Sequence, residues 1–322
     1  MTASRHAFYA ATVLVWAAVS CLGAAPPPPH SDVVPPPPVH SPSVVGDLRL
    51  HELTSKVFGN RRFLRVLVPD GYDAPANRTR RYAVLYMADG QNLFDPATSV
   101  FGPSEWRMDE TVHQLVADGR VPPLIVVGVD DAGRTARAHE YLPWPDTASA
   151  RVNPQYDPSP QGKRYPEFLI DEVKPFVDAR YRTLLDADHT GIGGSSYGAL
   201  ISAYVVAARP GVFGRALLES PTLAVADGRI FQELEAARPL PGRVYIGAGT
   251  NEPGAPGCKP GDPPMAGDPM VPGVERLAGM LRAAGLGSSR LRVVITPCGT
   301  HTHAAWAARL PGALTFLFGD GG

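Results

Sequence analysis

Apolar segments alternate with helical patterns along the whole second part of the chain. The apolar runs, rich in Val, Ile, Leu and Tyr, are FLRVLVP, YAVLYMAD, PLIVVGVD, GRALLES, RVYIGAG and LRVVITP. Several are unbroken, which is typical of strands buried on both faces. The helical patterns are DETVHQLVADG, PEFLIDEVKPFVDARY, SYGALISAYVVAARP, VERLAGMLRAAGLG and AAWAARLPGALTFLF. This alternation predicts an α/β fold with a mostly parallel central sheet and helices on both faces.

Two long connections carry neither pattern. One begins at Asp131 and ends near Tyr165, and the other begins at Thr250 and ends near Met270. Long connections inside a compact domain are usually functional or mobile. Because ligands of parallel sheets bind beyond the carboxyl ends of the strands, loops that leave those ends are expected to shape a pocket.

The N-terminus has the pattern of an export signal in residues 1–25. Arg5 and His6 precede the apolar run 7–19, and small residues follow it. Cleavage is expected near Gly23 or Ala24; the alternatives are a lipid anchor on Cys21 or an uncleaved anchor.

Residues 26–43 hold two tetraproline blocks, which predict an extended linker, and leave residues 44–322 as the folded domain.

A hydrophobic content of 44% allows a chain of 322 residues to bury one large core. The formal net charge of −1 gives no electrostatic case for a nucleic-acid partner. No stretch within the folded domain is long and apolar enough for a membrane span.

The three cysteines also bear on localisation. If Cys21 leaves with the signal or carries a lipid, Cys258 and Cys298 form an even pair in an oxidising compartment. We therefore predict a disulfide between them. Zinc binding by these two cysteines with His301 and His303 is the alternative.

A glycine-rich stretch, GIGGSSYGALI, marks the candidate nucleophile. Residues 194–198 fit Gly-x-Ser-x-Gly with Ser196 at the centre, after an apolar run and before a helical one. A strand-to-helix reversal this tight leaves no room for side chains at the flanking positions. The alternative is a plain glycine-rich loop with a capping serine.

An acyl-transfer serine needs a base, and only His301 and His303 follow Ser196. Both come after the last strand pattern. The preceding strand pattern, RVYIGAG, is followed at once by Glu252, so acid and base stand in the order expected of a hydrolase of this type. The alternatives are His303 as the base, and Glu252 as a solvated loop acid, with Asp262 or Asp268 in its place.

The residues then have distinct predicted roles. Ser196 Oγ attacks an acyl carbonyl, His301 carries the proton and Glu252 orients the imidazole. Backbone amides, one from Tyr197 and one from the loop after YAVLYMADGQ, stabilise the oxyanion. The predicted disulfide would tie the loop of Glu252 to the loop of His301. No metal or other cofactor is expected.

The motifs together resemble the "Putative esterase" family of α/β-hydrolases. The resemblance rests on YAVLYMADGQNLFDP, WRMDETVHQLVADGRVPPLIVVGVDD, HEYLPW, GIGGSSYGALISAYVVAARPGVFGRALLESP, YIGAGTNE and GTHTHAAWAARLPGALTFLF. The family includes feruloyl and acetylxylan esterases, siderophore esterases, S-formylglutathione hydrolases and mycolyltransferases. The resemblance covers about residues 44–318 and implies an α/β-hydrolase fold.

Position by position, the resemblance implies that Ser196 is the nucleophile, His301 the base and Glu252 the acid. It also implies that Gln91 gives an oxyanion-hole amide. Trp306 stands in its usual place after the histidine. Arg137, Glu140 and Tyr141 lie in a segment that often recurs in relatives, and we expect them to hold the pocket loop. The chain departs from the family pattern at two places: Ala199, where a further glycine is common, and the long Gly/Pro loop after Glu252.

These observations predict an exported serine esterase, either periplasmic or secreted, that acts on a small-molecule or carbohydrate-linked ester. Two alternatives stay open: an acyltransferase with the same triad, and a non-catalytic binding module that retains the fold. The residues quoted do not separate one ester from another.

Overall fold

The computed structural model describes residues 41–147 and 157–319. The predicted export signal and most of the proline-rich linker lie outside this part of the chain. The middle of the first long connection, residues 148–156, also lies outside it.

Eight strands form one sheet in the order β1-β2-β4-β3-β5-β6-β7-β8. The strands are β1 (Asp47–Thr54), β2 (Arg61–Val68), β3 (Ala83–Ala88), β4 (Leu124–Val129), β5 (Thr190–Ser195), β6 (Arg215–Glu219), β7 (Arg243–Gly249) and β8 (Leu291–Thr296). The pairs β1–β2 and β2–β4 are antiparallel, and every other neighbouring pair is parallel. The predicted fold class is confirmed.

Helices connect the parallel strands and cover both faces of the sheet. They are α1 (Met108–Ala117), α2 (Arg134–Tyr141), α3 (Tyr165–Glu167), α4 (Lys174–Asp178), α5 (Tyr197–Ala208), α6 (Val225–Gly228), α7 (Ile230–Ala236), α8 (Met270–Ala283) and α9 (His303–Phe318). A π-helical segment, Phe168–Val173, joins α3 to α4. Within the described ranges, no helix has the length and apolar character needed to cross a membrane.

The apolar core lies in two layers, one on each face of the sheet. One layer packs α5, α8 and the α3–α4 segment against the sheet, and the other packs α1 and α9. Every residue of β3, β4 and β5 is buried. Burial on both faces explains why β3 and β4 are unbroken apolar runs in the sequence. Strand β5, TGIGGS, is equally buried but consists mostly of glycine and small polar residues.

The sequence patterns missed the strand β1, the helix α2 and the short helices α6 and α7. The edge strand β1 pairs only with β2, and its side chains are exposed or half-buried, so its sequence lacks a strong apolar run. Helix α2 lies inside the first long connection; its residues RTARAHEY are mostly polar. The second connection, between β7 and α8, contains turns only, as expected.

Candidate active site

Ser196 occupies a strained corner between β5 and α5. Its backbone has φ 57° and ψ −124°, a conformation that residues with a side chain rarely adopt. The residues two positions before and after Ser196 are glycines for a steric reason: a Cβ on Gly194 would lie 2.8 Å from the carbonyl carbon of Gly198. Ser196 is half-buried, so its hydroxyl is not sealed inside the core.

The backbone of this corner is tied to the next strand. Ser196 N donates to the Glu219 carbonyl at the end of β6, with a donor–acceptor distance of 3.0 Å. The Glu219 carboxylate is buried and accepts from Arg309 Nη2 at 2.7 Å. Burial raises the pKa of Glu219 to about 7, although Arg309 acts in the opposite direction. Arg309 thus fastens α9 to the strand end that holds the corner.

Glu252 and His301 are in direct contact. His301 Nδ1 lies 2.7 Å from Glu252 Oε2, and His301 N donates to the Glu252 carbonyl at 3.1 Å. Glu252 is buried, whereas a third of the His301 side chain, 33%, is exposed. The loops after β7 and β8 therefore bring a carboxylate and an imidazole together.

Two further donors hold the second oxygen of Glu252. Gly249 N donates to Oε1 at 2.6 Å and Ser220 Oγ donates to it at 2.8 Å. Burial acts to raise the Glu252 pKa, but the hydrogen bonds, led by that of His301, outweigh burial and lower it. The acid is thus kept ionised at neutral pH.

Ser220 is a site residue that the sequence analysis missed. Its hydroxyl accepts from Trp306 Nε1 at 2.9 Å while it donates to Glu252. The Trp306 ring also stands edge-on to the His301 ring, with centroids 5.1 Å apart. The only sequence signal for Ser220 is its position directly after a strand that is adjacent to β5.

The alternative acid and base candidates have other partners. His303 is buried, and its Nδ1 donates to the Ser104 carbonyl at 2.7 Å; burial lowers its pKa. Asp262 accepts from Lys259 N, and Asp268 accepts from Met270 N, both in local turns. The contacts therefore favour Glu252 and His301.

The two oxyanion-hole candidates lie after adjacent strands, β3 and β5. Gln91 is in the turn Gly90–Asn92, and Tyr197 is the first residue of α5. The Gln91 side chain exchanges two hydrogen bonds with Asp131, which fix the turn. A Cβ on Gly90 would lie 2.5 Å from the carbonyl carbon of Gly128, so only glycine lets this turn pack on β4.

Arg137 and Tyr141 support the turn that leads to Gln91. Arg137 Nε and Nη2 donate to the two oxygens of Asp89 at 2.6 and 2.8 Å, and Tyr141 Oη accepts from Asp89 N. Asp89 itself has φ 60°. Glu140 pairs with buried Arg62, away from these contacts. The contacts of Arg137 and Tyr141 with Asp89 match the expected role of holding the pocket loop.

Cys258 and Cys298 lie at disulfide distance, with Cα atoms 5.8 Å apart. A disulfide leaves neither sulfur as a thiolate, so the zinc alternative loses two of its four ligands. The bond links the loop after Glu252 to the loop before His301, as the sequence analysis expected.

In the part of the chain that the structure describes, one group of acidic residues is close enough to share a cation. Glu105, Asp109 and Glu110, at the start of α1, offer oxygens within 4.8 Å of one another. Burial raises the pKa of Glu105 to about 7 and that of Asp109 to about 8.

Comparison with known proteins is consistent with this arrangement. The family model described as "Putative esterase" matches residues 55–317. The chain belongs to the Putative esterase family. Family membership makes it a carboxylic ester hydrolase, with the α/β-hydrolase fold that the sheet order shows.

Three similar proteins illustrate the range of the family. The uncharacterized protein YbbA of Bacillus subtilis (strain 168) is 23% identical over 60% of this chain and 70% of its own length. An endo-1,4-beta-xylanase/feruloyl esterase of Xylanibacter ruminicola is 24% identical over 52% of this chain, which spans only 21% of that protein. An IroE-like serine hydrolase from Shewanella oneidensis has a TM-score of 0.65 and 19% identity, covering 84% of this chain and 80% of its own.

Proposed function

We propose that this protein is an exported serine esterase that cleaves carboxylic esters through an acyl-enzyme on Ser196. His301 is the general base and Glu252 is the acid that orients it. The observation that carries the proposal is the 2.7 Å contact between Glu252 Oε2 and His301 Nδ1. This contact favours His301 over His303 as the base, and Glu252 over Asp262 and Asp268 as the acid.

The pairing assigns the protons of the imidazole. With Nδ1–H donated to Glu252, His301 Nε2 is the basic nitrogen that takes the Ser196 proton as Oγ attacks the acyl carbon. The negative charge that develops on the acyl oxygen is stabilised by the Gln91 and Tyr197 amides. His301 then gives its proton to the departing alcohol, and water repeats the sequence on the acyl-enzyme.

The proposed proton transfer requires the Ser196 hydroxyl to turn toward His301. Among the described residues, the hydrogen bonds of His301 join it to Glu252 and include none to Ser196. Catalytic hydrogen bonds often form fully only with substrate bound.

Export is supported by two features of the chain. The first is the N-terminal pattern of basic, apolar and small residues. The second is the Cys258–Cys298 pair, because disulfides persist in oxidising compartments. We propose a small-molecule or carbohydrate-linked ester as substrate. The similarity to a xylanase/feruloyl esterase supports a carbohydrate-linked ester.

A fluorophosphonate probe tests the proposal directly, because it labels only an activated serine. The wild type and Ser195→Ala are expected to be labelled and to hydrolyse simple esters. Ser196→Ala is expected to lose the label and to lose at least about a thousandfold in kcat. Ser195→Ala is the matched control, since it removes the buried serine beside the nucleophile. Labelling that survives in Ser196→Ala would refute the assignment.

A further inference from the structure

The loop between β3 and α1 exposes two adjacent apolar side chains. Val100 is 41% exposed and Phe101 is 45% exposed. In the described residues only two other large apolar side chains are exposed to this degree, Leu185 and Met265, and they lie in other loops. Adjacent exposed apolar side chains on one loop indicate a binding surface.

Hydrogen bonds hold this loop against both sides of the active site. Thr98 Oγ1 donates to the carbonyl of Gln91 at 2.6 Å, and Val100 N donates to Asn92 Oδ1 at 2.9 Å. At the other end, the Ser104 carbonyl accepts from His303, two residues after His301, at 2.7 Å. The loop is therefore fixed between the oxyanion turn and the histidine loop.

The Phe101 ring and the ring of the residue after the nucleophile both lie near Arg137. The Arg137 guanidinium carbon is 5.1 Å from the centre of the Phe101 ring and 5.7 Å from that of Tyr197, which directly follows Ser196. The His303 ring borders Phe101 on another side, with centroids 6.4 Å apart. Arg137 is buried and both of its donors to Asp89 are engaged, so this wall offers a substrate apolar surface rather than a free charge.

We propose that Phe101 is a specificity-determining residue that packs against an aromatic ring of the ester substrate. This inference rests on the proposed function and adds a substrate class to it. An aromatic ring covers the exposed part of Phe101 in an offset or edge-on arrangement and gains both apolar burial and ring–ring contact. An acetyl ester has only a methyl group to place there, and gains little.

Three esters separate the contributions of the ring and of its position. Ethyl acetate has no ring, ethyl 3-phenylpropanoate carries a ring on the acyl side, and 2-phenylethyl acetate carries it on the alcohol side. Acid release in a pH-stat gives kcat and KM for each, without a chromogenic leaving group that would add a ring of its own.

Phe101→Ala is expected to lower kcat/KM about tenfold for one of the two ring-bearing esters, mainly through KM, and to leave ethyl acetate within about twofold. The ester affected shows which side of the substrate meets Phe101. Phe101→Leu is expected to recover part of the loss. Leu185→Ala is the matched control. The neighbouring Leu184 N donates to the Tyr82 carbonyl, so Leu185 lies near the amino end of β3, whereas Gln91 follows its carboxyl end.

Two results would overturn the inference alone. One is an equal fall for all three esters in Phe101→Ala, which indicates a general structural role. The other is an unchanged preference for the ring-bearing esters. Failure of the proposed function has a different signature: the wild type then hydrolyses none of the three esters, or Ser196→Ala hydrolyses them as well as the wild type does.

Discussion

His303 Nδ1 donates to the Ser104 carbonyl at 2.7 Å, whereas His301 Nδ1, two residues earlier, contacts a carboxylate. The first contact anchors a loop, and the second orients a base. We expect His301→Ala to lose at least about a thousandfold in kcat, because no group is left to take the serine proton. His303→Gln is expected to stay within about tenfold of the wild type. Steady-state kinetics on both variants checks this, and a reversed order of the two losses would make His303 the base.

Ser220 bridges Trp306 and Glu252, so its loss should affect stability and catalysis together. Ser220→Ala leaves buried Trp306 Nε1 without its acceptor, and we expect the free energy of unfolding to fall by about 1–3 kcal/mol. The Ser220 hydrogen bond helps to lower the Glu252 pKa, so its removal raises that pKa. Because Glu252 orients the imidazole only when it is ionised, activity on the acid limb of the pH–rate profile should fall more in Ser220→Ala than in the wild type.

Ser202→Ala is the control for that experiment, since Ser202 is also buried but bonds to the Gly198 carbonyl within α5. It should cost stability without moving the acid limb. If Ser220→Ala leaves the profile in place, Ser220 has a structural role only.

The Cys258–Cys298 link should matter for both folding and turnover. We expect the double substitution Cys258→Ser/Cys298→Ser to lower the free energy of unfolding by about 2–5 kcal/mol. It should also lower kcat, because the loops of Glu252 and His301 lose their connection. Thermal unfolding and steady-state kinetics measure the two effects. A reductant should reproduce both in the wild type and change nothing further in the variant; a wild type indifferent to reduction would contradict the prediction.

The buried Glu219 should make stability depend on pH. Its pKa is about 7 in the folded protein against an ordinary value of 4.5, so between these values the folded state holds a proton that the unfolded state has released. This contribution to stability is complete below pH 4.5 and is lost as the pH rises toward 7. In Glu219→Gln this position cannot titrate, so the free energy of unfolding should fall less between pH 4.5 and pH 7 than it does in the wild type.

Urea unfolding at about pH 5 and about pH 7.5 measures that difference. The control is Glu235→Gln, a substitution at an exposed position on α7. The absolute stability of Glu219→Gln will be lower, because the substitution disturbs the buried hydrogen bonds that Arg309 donates to the carboxyl group, so only the dependence on pH is decisive. A pH dependence equal to that of the wild type would show that Glu219 does not hold the proton.

The parts that could be predicted from the sequence are those written in local patterns. Buried parallel strands are apolar runs, and a strained corner needs glycines at fixed offsets, so the sheet and Ser196 were accessible. The proximity of Glu252 and His301 was expected from their order along the chain. The edge strand β1 and the helix α2 were not accessible, since β1 is exposed or half-buried along its length and α2 is mostly polar.

Contacts between distant segments could not be predicted from the sequence either. Trp306 and Ser220 are separated by 86 residues, and Arg309 and Glu219 by 90, with no motif that links them. The exposure of Phe101 likewise depends on how its loop is anchored. Sequence spacing also could not separate His301 from His303, because both follow the same strand and only their partners differ.

Consecutive residues at the end of β6 touch both chemical groups of the site: the Glu219 carbonyl accepts from the Ser196 amide, and the Ser220 hydroxyl donates to the acid. One strand end therefore sets the position of Ser196 relative to Glu252. His301 lies on another segment, but two hydrogen bonds hold it to Glu252. We expect substitutions that stabilise this strand end to raise the temperature at which activity is lost, because they keep the nucleophile aligned with both the acid and the imidazole.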